Sequence, residues 1–517
     1  MLKSWYLQNF KAILDSGELK LAPVTVLAGR NSSGKSSLIQ SILMIAQTLS
    51  NRLPDRALLP NGPIVQLGTF EDILSEQTNL RTLVVGFELE IEEEERKEKD
   101  NKWEWGEYER IDIESVKVTT QFRNSSSKDA SASAIETSKV NVESVSMNIQ
   151  GSQLIPMPDF NSFIPGKISF NLKTYIKQLS SVELDEFIKD VSPEYLRFVP
   201  YTNKELNYQG NFTPTNIPDP VPETSLVEFF HFLPIRLIEK GTKNKNKILQ
   251  EIYIGYIAEA ERKANQFFTS KIRYLGPLRA DPQASQKFAP SGEIDDVGTQ
   301  GEYAAAVYDA NQKAIIQWYN PSTDRTEKSE LGVALHTWVR YLGIANDIKI
   351  QEAGPSGVSW QVVSLKDRKA LPLSAVGIGV SQILPILVMG LLAPNNTLLI
   401  VEQPELHLHA RVQARLGDFF MGLAKCSKQC LIETHSENLV SQLRLHIVEA
   451  GGQENADCLI YFVDQDEQGA AKFNPVEISA KGNILNWPDG FFDETMLQED
   501  RITAKVLKKR AKKVNND

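Results

Sequence analysis

The stretch Val24–Ser37, VTVLAGRNSSGKSS, decides the fold class of this chain. Val24 to Ala28 form an apolar run, Gly29 to Ser36 spell the spacing GxxxxGK[ST], and from Ser37 the residues Leu38, Ile39, Ile42, Leu43, Ile45 and Ala46 recur at helical spacing. Strand, glycine-rich turn and helix in that order make a phosphate loop, because the N–H groups of the turn and the positive end of the helix both favour an anion. Arg30, Asn31, Ser32, Ser33, Gly34 and Ser37 would cradle the phosphates, Lys35 would reach β- and γ-phosphate oxygens, and Ser36 would hold Mg²⁺. The spacing alone also fits a flexible polar turn; its place between strand and helix favours a nucleoside triphosphate site.

Upstream, Trp5-Tyr6-Leu7, then Asp15-Ser16-Gly17, then Leu19 and Leu21 predict a hairpin that turns near Gly17 and leads into the phosphate-loop strand. Downstream, LVVGFELEIE and RIDIESVKVTTQF predict an antiparallel sheet with one solvated face. Between them stands the charged run Glu92–Asp100, with Trp103 and Trp105 behind it, and the Ser/Ala-rich piece Asn124–Ala134 reads as a loop. Leu226–Phe268 turns helical without sustained heptads, which argues against a long coiled coil. We expect an α/β fold in which an α+β insertion, residues 90–270, separates two parts of a nucleotide-binding domain, 1–89 and 271–450, followed by a C-terminal segment, 451–517.

A net charge of −10 argues against a protein coated in basic surface, though not against a local basic groove. Lys505, Lys508, Lys509, Arg510, Lys512 and Lys513 crowd the end of the chain, as a solvated helix end or as a nucleic-acid contact. Cys426, Cys430 and Cys458 are too few for a disulfide framework and have no companions at zinc spacing. With no apolar amino-terminal run long enough for a signal peptide, they indicate a reducing, cytoplasmic setting. Ser374–Val401 carries no charge, but Pro385, Gly390 and the turn at Ala393–Asn396 divide it into a helix and a strand, so no membrane span is expected.

The strand Leu398–Val401 ends in Glu402-Gln403-Pro404-Glu405. An acid at the end of a buried strand is the Walker B arrangement and can hold Mg²⁺ opposite Ser36, so Glu402 is the expected metal carboxylate. Further on, Cys430–Glu433 predicts another strand, followed by His435; taken alone it favours a capping or core role, but its position after the Walker B strand reverses that preference toward sensing a γ-phosphate. Upstream, the small-residue turn Leu373–Gln382 runs into an apolar helix whose start suits an anion. Asp464-Gln465-Asp466, behind the strand Leu459–Val463, mimics a metal-binding DxD pair.

Seven ordered segments carry a resemblance: NFKAILDSGELKLAPVTVLAGRNSSGKSSLIQ, YLGPLRADP (Tyr274–Pro282), VGTQGEY (Val297–Tyr303), VGIGVSQILPIL, VEQPELHLH, ETHSENL and NWPDGFFDE (Asn486–Glu494). Over roughly 1–85 and 270–500 the chain resembles the ATP-binding-cassette ATPases of the SMC/RecF/OLD type, specifically the bacterial AAA-family ATPases that end in a domain called DUF3696. The resemblance implies a P-loop core of mixed sheet and flanking helices, with ATP and Mg²⁺ as cofactors and ATP hydrolysis as the reaction. It implies homodimers or higher even oligomers with head-to-tail ATP sites, in which Ser374, Gly377, Gly379 and Ser381 face the γ-phosphate in trans. His407 and His409 then lie in a D-loop at the subunit interface, and Gln66 completes the Mg²⁺ shell as a Q-loop glutamine. Arg279 reaches a phosphate or the insertion, or makes a buried structural pairing.

One departure bears on catalysis. Most relatives place a Glu directly after the Walker B acid, whereas this chain has Gln403, which can position water but cannot take its proton. Either Glu405 supplies the base, or hydrolysis is slow and ATP acts largely as a clamp. Relatives often accompany nucleases in bacterial antiviral systems, which implies a defence ATPase that controls an effector encoded nearby. The alternatives are an OLD-like nuclease and a DNA-repair or SMC-type ATPase acting on DNA itself.

Overall fold

The first two strands, β1 (Leu2–Phe10) and β2 (Ile13–Lys20), form the expected hairpin, but the chain reverses at Lys11–Ala12, where Phe10 pairs with Ile13. Asp15-Ser16-Gly17 is a bulge inside β2: the register slips between Tyr6 and Gln8, Gly17 takes a φ of 61°, and its N–H donates to Asp15 Oδ1 at 2.8 Å. Turn-forming residues thus serve a bulge, because a left-handed glycine satisfies either. The structure is a computed structural model that describes residues 1–51, 57–91, 111–125, 139–157, 160–175, 205–210, 226–230, 233–238, 247–281, 295–352, 357–364, 369–452, 457–486, 501–502 and 505. The run Glu92–Asp100, Trp103, Trp105, the loop expected within Asn124–Ala134 beyond Ser125, residues 487–494 and the basic tail after Lys505 lie outside the described residues.

After β3 (Val24–Gly29) and α1 (Lys35–Ser50), the chain adds β4 (Thr82–Glu90), β5 (Ile111–Ser125), β6 (Lys139–Met157), β7 (Phe160–Tyr175) and β8 (Glu205–Gly210). These join the hairpin in one antiparallel sheet of order β2-β1-β4-β5-β6-β7-β8, which crosses position 90 without a break. A short hairpin, β9 (Leu226–Phe230) with β10 (Leu233–Ile238), precedes α2 (Lys247–Ser270). Ala260, Ala264, Phe267 and Phe268 of α2 belong to the core formed by β1, β4 and α1, with the Phe268 ring 4.9 Å from Phe87.

The remainder supplies β11 (Ile272–Leu275), α3 (Ala304–Asn311), the hairpin β12 (Ile315–Asn320) and β13 (Arg325–Glu330), and α4 (Leu331–Leu342). A small sheet of β14 (Asp347–Glu352), β15 (Val358–Val363) and β16 (Ala370–Pro372) leads to α5 (Ile378–Leu392) and β17 (Leu398–Glu402). Then come α6 (Ala410–Ala424), β18 (Gln429–Thr434), α7 (Glu437–Glu449), β19 (Cys458–Gln465) and β20 (Ala471–Pro475). The uncharged stretch from Ser374 therefore divides into α5 and β17, and among the described residues no helix is long and apolar enough to cross a membrane.

The central sheet runs β11-β17-β18-β3-β19-β20 and is parallel except where β20 turns back on β19. Alternate residues serve two cores: Leu398, Ile400, Leu431 and Leu27 face α1 and the antiparallel sheet, whereas Leu399, Val401, Ile432, Val24 and Val26 face the helices of the second half. Cover on both faces explains why these strands read as unbroken apolar runs. The chain beyond 450 returns to this sheet, with Cys458 opposite Val24 and Val463 opposite Gly29.

Candidate nucleotide site

Parallel pairing aligns the C-terminal ends of three strands, with Glu402 level with Glu433 and Glu433 level with Leu27. Loops leaving those ends share one edge, the side on which open α/β sheets bind ligands. The loop after β3 makes its turn through Gly29 at φ 147°, Ser32 at φ 62° and Gly34 at φ 106°. A Cβ on Gly29 would lie 2.1 Å from the Val463 carbonyl oxygen, and one on Gly34 would lie 2.6 Å from Ala471 Cβ. Neighbouring strands therefore demand these glycines as firmly as the dihedrals do. Gln465 Nε2 at the end of β19 also donates to the Ser32 carbonyl at 3.0 Å and braces the loop, while Ala471 N–H of β20 donates to the Ala12 carbonyl in the β1–β2 turn beside it at 2.8 Å.

Lys35 opens α1 with only 3% of its surface exposed, its Nζ donating to the carbonyls of Gly29 at 3.1 Å and Arg30 at 2.5 Å and to Ser33 Oγ at 3.4 Å. Burial pulls its pKa below the ordinary lysine value, against the opposing pull of Glu433 and Glu405. A buried cation held by neutral oxygens gains most from an arriving anion. Beside it, Ser36 Oγ donates to Glu433 Oε2 at 2.8 Å. Burial, the neighbouring Glu402 charge and a hydrogen bond to Glu402 push the Glu433 carboxyl up to about 7.

Glu402 is fixed from behind: its Oε1 accepts from the Tyr274 hydroxyl at 2.6 Å and its carbonyl from Arg279 Nη2 at 3.0 Å. Burial first, then the Glu402 charge, raises the Tyr274 pKa far above the phenol range, and burial lowers Arg279 to about 10. Arg279 thus makes a buried pairing with the β17 main chain. Gln403 stands at φ 45° with its N–H donating to the Glu433 carbonyl at 2.7 Å. Glu405 is buried, with Oε1 accepting from the His435 N–H at 2.6 Å; burial raises its pKa against that bond. His435 is half-buried, and burial together with Lys35 lowers its pKa below the ordinary imidazole value.

These groups surround a cleft of about 210 Å³ lined by Ala12, residues 31–37, Gln403, Glu433 and His435. Glu402 and Glu405 stand behind its wall, Arg30 contributes its carbonyl to Lys35, and Gln66 lies on an exposed turn bridged to Asn61, away from the cleft lining. None of Ser374, Gly377, Gly379 and Ser381 lines it either. Ser374 and Gly377 are exposed at the start of α5, and a Cβ on Gly377 would meet nothing within 4 Å. Gly379 lies under the loop that carries His407, where a Cβ would come 2.8 Å from the His407 carbonyl, and the buried Ser381 Oγ donates to the Ile378 carbonyl of its own helix at 2.6 Å. His407 is exposed, and His409 Nδ1 accepts from the Arg411 N–H at 3.3 Å as the cap of α6. Asp464 and Asp466 organise the β19–β20 turn, where Asp466 Oδ1 accepts from the N–H groups of Gln468 and Ala470.

Reading the sequence singled out the loop, Gln403 and His435 but missed Glu433 and Tyr274. Glu433 carried the same signal as Glu402, an acid closing an apolar strand, and was overshadowed by the histidine after it. Comparison with known proteins matches residues 1–440 to the family described as AAA ATPase domain and residues 454–501 to the family described as protein of unknown function DUF3696. No curated protein matches. Among solved structures the chain is similar to the SMC head domain from Thermotoga maritima, at 12% identity and a TM-score of 0.36, covering 92% of this chain and 99% of that one. It is also similar to the Smc head domain with an extended coiled coil bound to the C-terminal domain of ScpA derived from Pyrococcus furiosus, at 11% identity and a TM-score of 0.36, covering 92% and 96%.

Proposed function

Because this chain belongs to the AAA ATPase domain family that its residues 1–440 match, we propose that it binds ATP with Mg²⁺ in the Lys35 cleft, hydrolyses it, and uses the γ-phosphate to pair and release two copies of itself. The observation that carries this reading is convergence: the phosphate loop, Gln403 after β17, and Glu433 with His435 at the end of β18 reach one cleft from parts of the chain far apart in sequence. Lys35 and the loop N–H groups hold the phosphates. Hydroxyl and carboxylate oxygens are the hard donors that Mg²⁺ takes, so Ser36 and the glutamates beside it fit that ion, which would neutralise charge on the β- and γ-oxygens.

Gln403 is the residue of the Walker B turn that lines the cleft, so it positions the attacking water, and Glu405 acts through the His435 main chain. An amide accepts no proton, which makes turnover slow and the bound state long-lived. The exposed start of α5 at Ser374 and Gly377 meets the triphosphate of a second copy, head to tail, with His407 at the seam. The pairing then governs a partner protein, and the resemblance supplies its class: a nuclease in bacterial antiviral defence.

Titration with a fluorescent ATP analogue tests the site. Lys35→Ala is expected to weaken binding about 100-fold, the scale of losing charge-assisted hydrogen bonds to phosphate; wild-type affinity in that variant would sink the assignment. Light scattering with a non-hydrolysable analogue is expected to show even assemblies, and an unaltered mass would remove the pairing switch.

A further inference from the structure

The end of β17 is where a phosphate-loop protein is expected to hold its metal carboxylate, yet here that group is already engaged. Glu402 takes the Tyr274 hydroxyl on Oε1 and does not line the cleft. The adjacent strand offers another carboxylate. Glu433 stands level with Glu402 and on the face of Leu431 and Leu27, which turns it toward α1. Its Oε2 holds the hydroxyl of Ser36, the donor that a metal at this loop would need, and it lines the cleft.

Two glutamates stand in register on one face, 6% and 3% exposed, and a hydrogen bond joins their carboxyl groups, so a cation at Glu433 would take the place of a shared proton. Each receives a hydroxyl, from Tyr274 and from Ser36, but the buried ammonium of Lys35 is spent on main-chain carbonyls and Ser33. Glu433 thus brings a carboxylate, and through it the Ser36 hydroxyl, to the cleft. We propose that Glu433, together with the Ser36 hydroxyl, ligates the divalent cation that accompanies the triphosphate, with Glu402 behind it sharing the ion's charge. This assignment rests on reading the cleft as an ATP site. It also makes the Ser36–Glu433 bond the contact that metal entry must replace.

The test separates metal from nucleotide. Mn²⁺ is titrated by electron paramagnetic resonance into the full-length protein with a non-hydrolysable ATP analogue, and analogue binding is measured separately in EDTA. Glu433→Gln keeps the acceptor for Ser36 and is expected to bind the analogue in EDTA like wild type while losing at least about tenfold in Mn²⁺ affinity. Glu402→Gln is expected to lose less. Glu433→Asp keeps the charge and is expected to retain Mn²⁺ binding; a loss as large as that of Glu433→Gln would mean that shape governs the site and would overturn the proposal. Wild-type Mn²⁺ affinity in Glu433→Gln, or a greater loss in Glu402→Gln, overturns it as well. Failure of the underlying ATP reading looks different, since wild-type protein would then bind no analogue with or without metal.

Discussion

Gln403 lines the cleft with its backbone pinned by the Glu433 carbonyl, and in the proposed mechanism it stands where a carboxylate would take the proton from the attacking water. General-base catalysis contributes about 10²- to 10⁴-fold, so Gln403→Glu is expected to raise kcat at least tenfold in steady-state phosphate release. An unchanged kcat would place proton removal elsewhere. Glu405 gives the contrasting result: in Glu405→Gln the side-chain oxygen still accepts from the His435 N–H, and turnover is expected to stay near wild type. Glu405→Ala strips that partner from a half-buried N–H at a cost of about 1 kcal/mol and is expected to lower turnover through His435. A collapse of kcat in Glu405→Gln would instead mark Glu405 as the base. The sequence alone left both residues open because it carries no measure of which one faces the cleft.

At the level of elements, α4, α6 and α7 meet on Asp418, a buried residue whose carboxylate accepts from Gln442 Nε2 at 2.8 Å and from the Tyr341 hydroxyl at 2.6 Å and meets His446 Nε2 at 2.7 Å. Burial would raise its pKa, but the hydrogen bonds from His446, Tyr341 and Gln442 outweigh burial and hold it below the ordinary value. A carboxyl with a depressed folded pKa adds stability that is present above its unfolded pKa, about 3.9, and is lost as pH falls through the folded value. Asp418→Ala is therefore expected to cost about 2–4 kcal/mol in urea unfolding at pH 7, by orphaning buried donors, and less at pH 3. A penalty that grew toward pH 3 would contradict that sign. The helices themselves follow from apolar spacing; the hub does not, since an aspartate on an amphipathic helix reads as solvated.

Across the whole molecule, the two family matches divide between 440 and 454, but the central sheet spans that division. β19 covers the edge of β3, its Val463 carbonyl closes over Gly29, and Ile460, Phe462 and Val463 are buried there. Removing residues 451–517 would expose those β3 neighbours and lose roughly 1.5–3 kcal/mol for each large apolar side chain withdrawn from the core. The truncated chain is expected to be insoluble or unfolded by circular dichroism and to bind no ATP analogue. A soluble truncation that binds the analogue would show that β19 is dispensable to the loop.

The phosphate loop, the helix behind it and the strands ending in Glu402 and Glu433 were legible in the sequence because each depends on consecutive residues: a periodicity, a glycine dihedral, a donor spacing. The insertion boundary at 90 was less so, since the antiparallel sheet runs through it, and the hairpin turn was displaced because Gly17 serves a bulge as readily as a turn. Which acid reaches Ser36 belongs to the tertiary structure alone, for Glu433 lies 397 positions away and is brought there by strand order. An alternating apolar pattern says which face a side chain takes, but nothing within a strand encodes which strand lies beside it; packing of the two cores decides that.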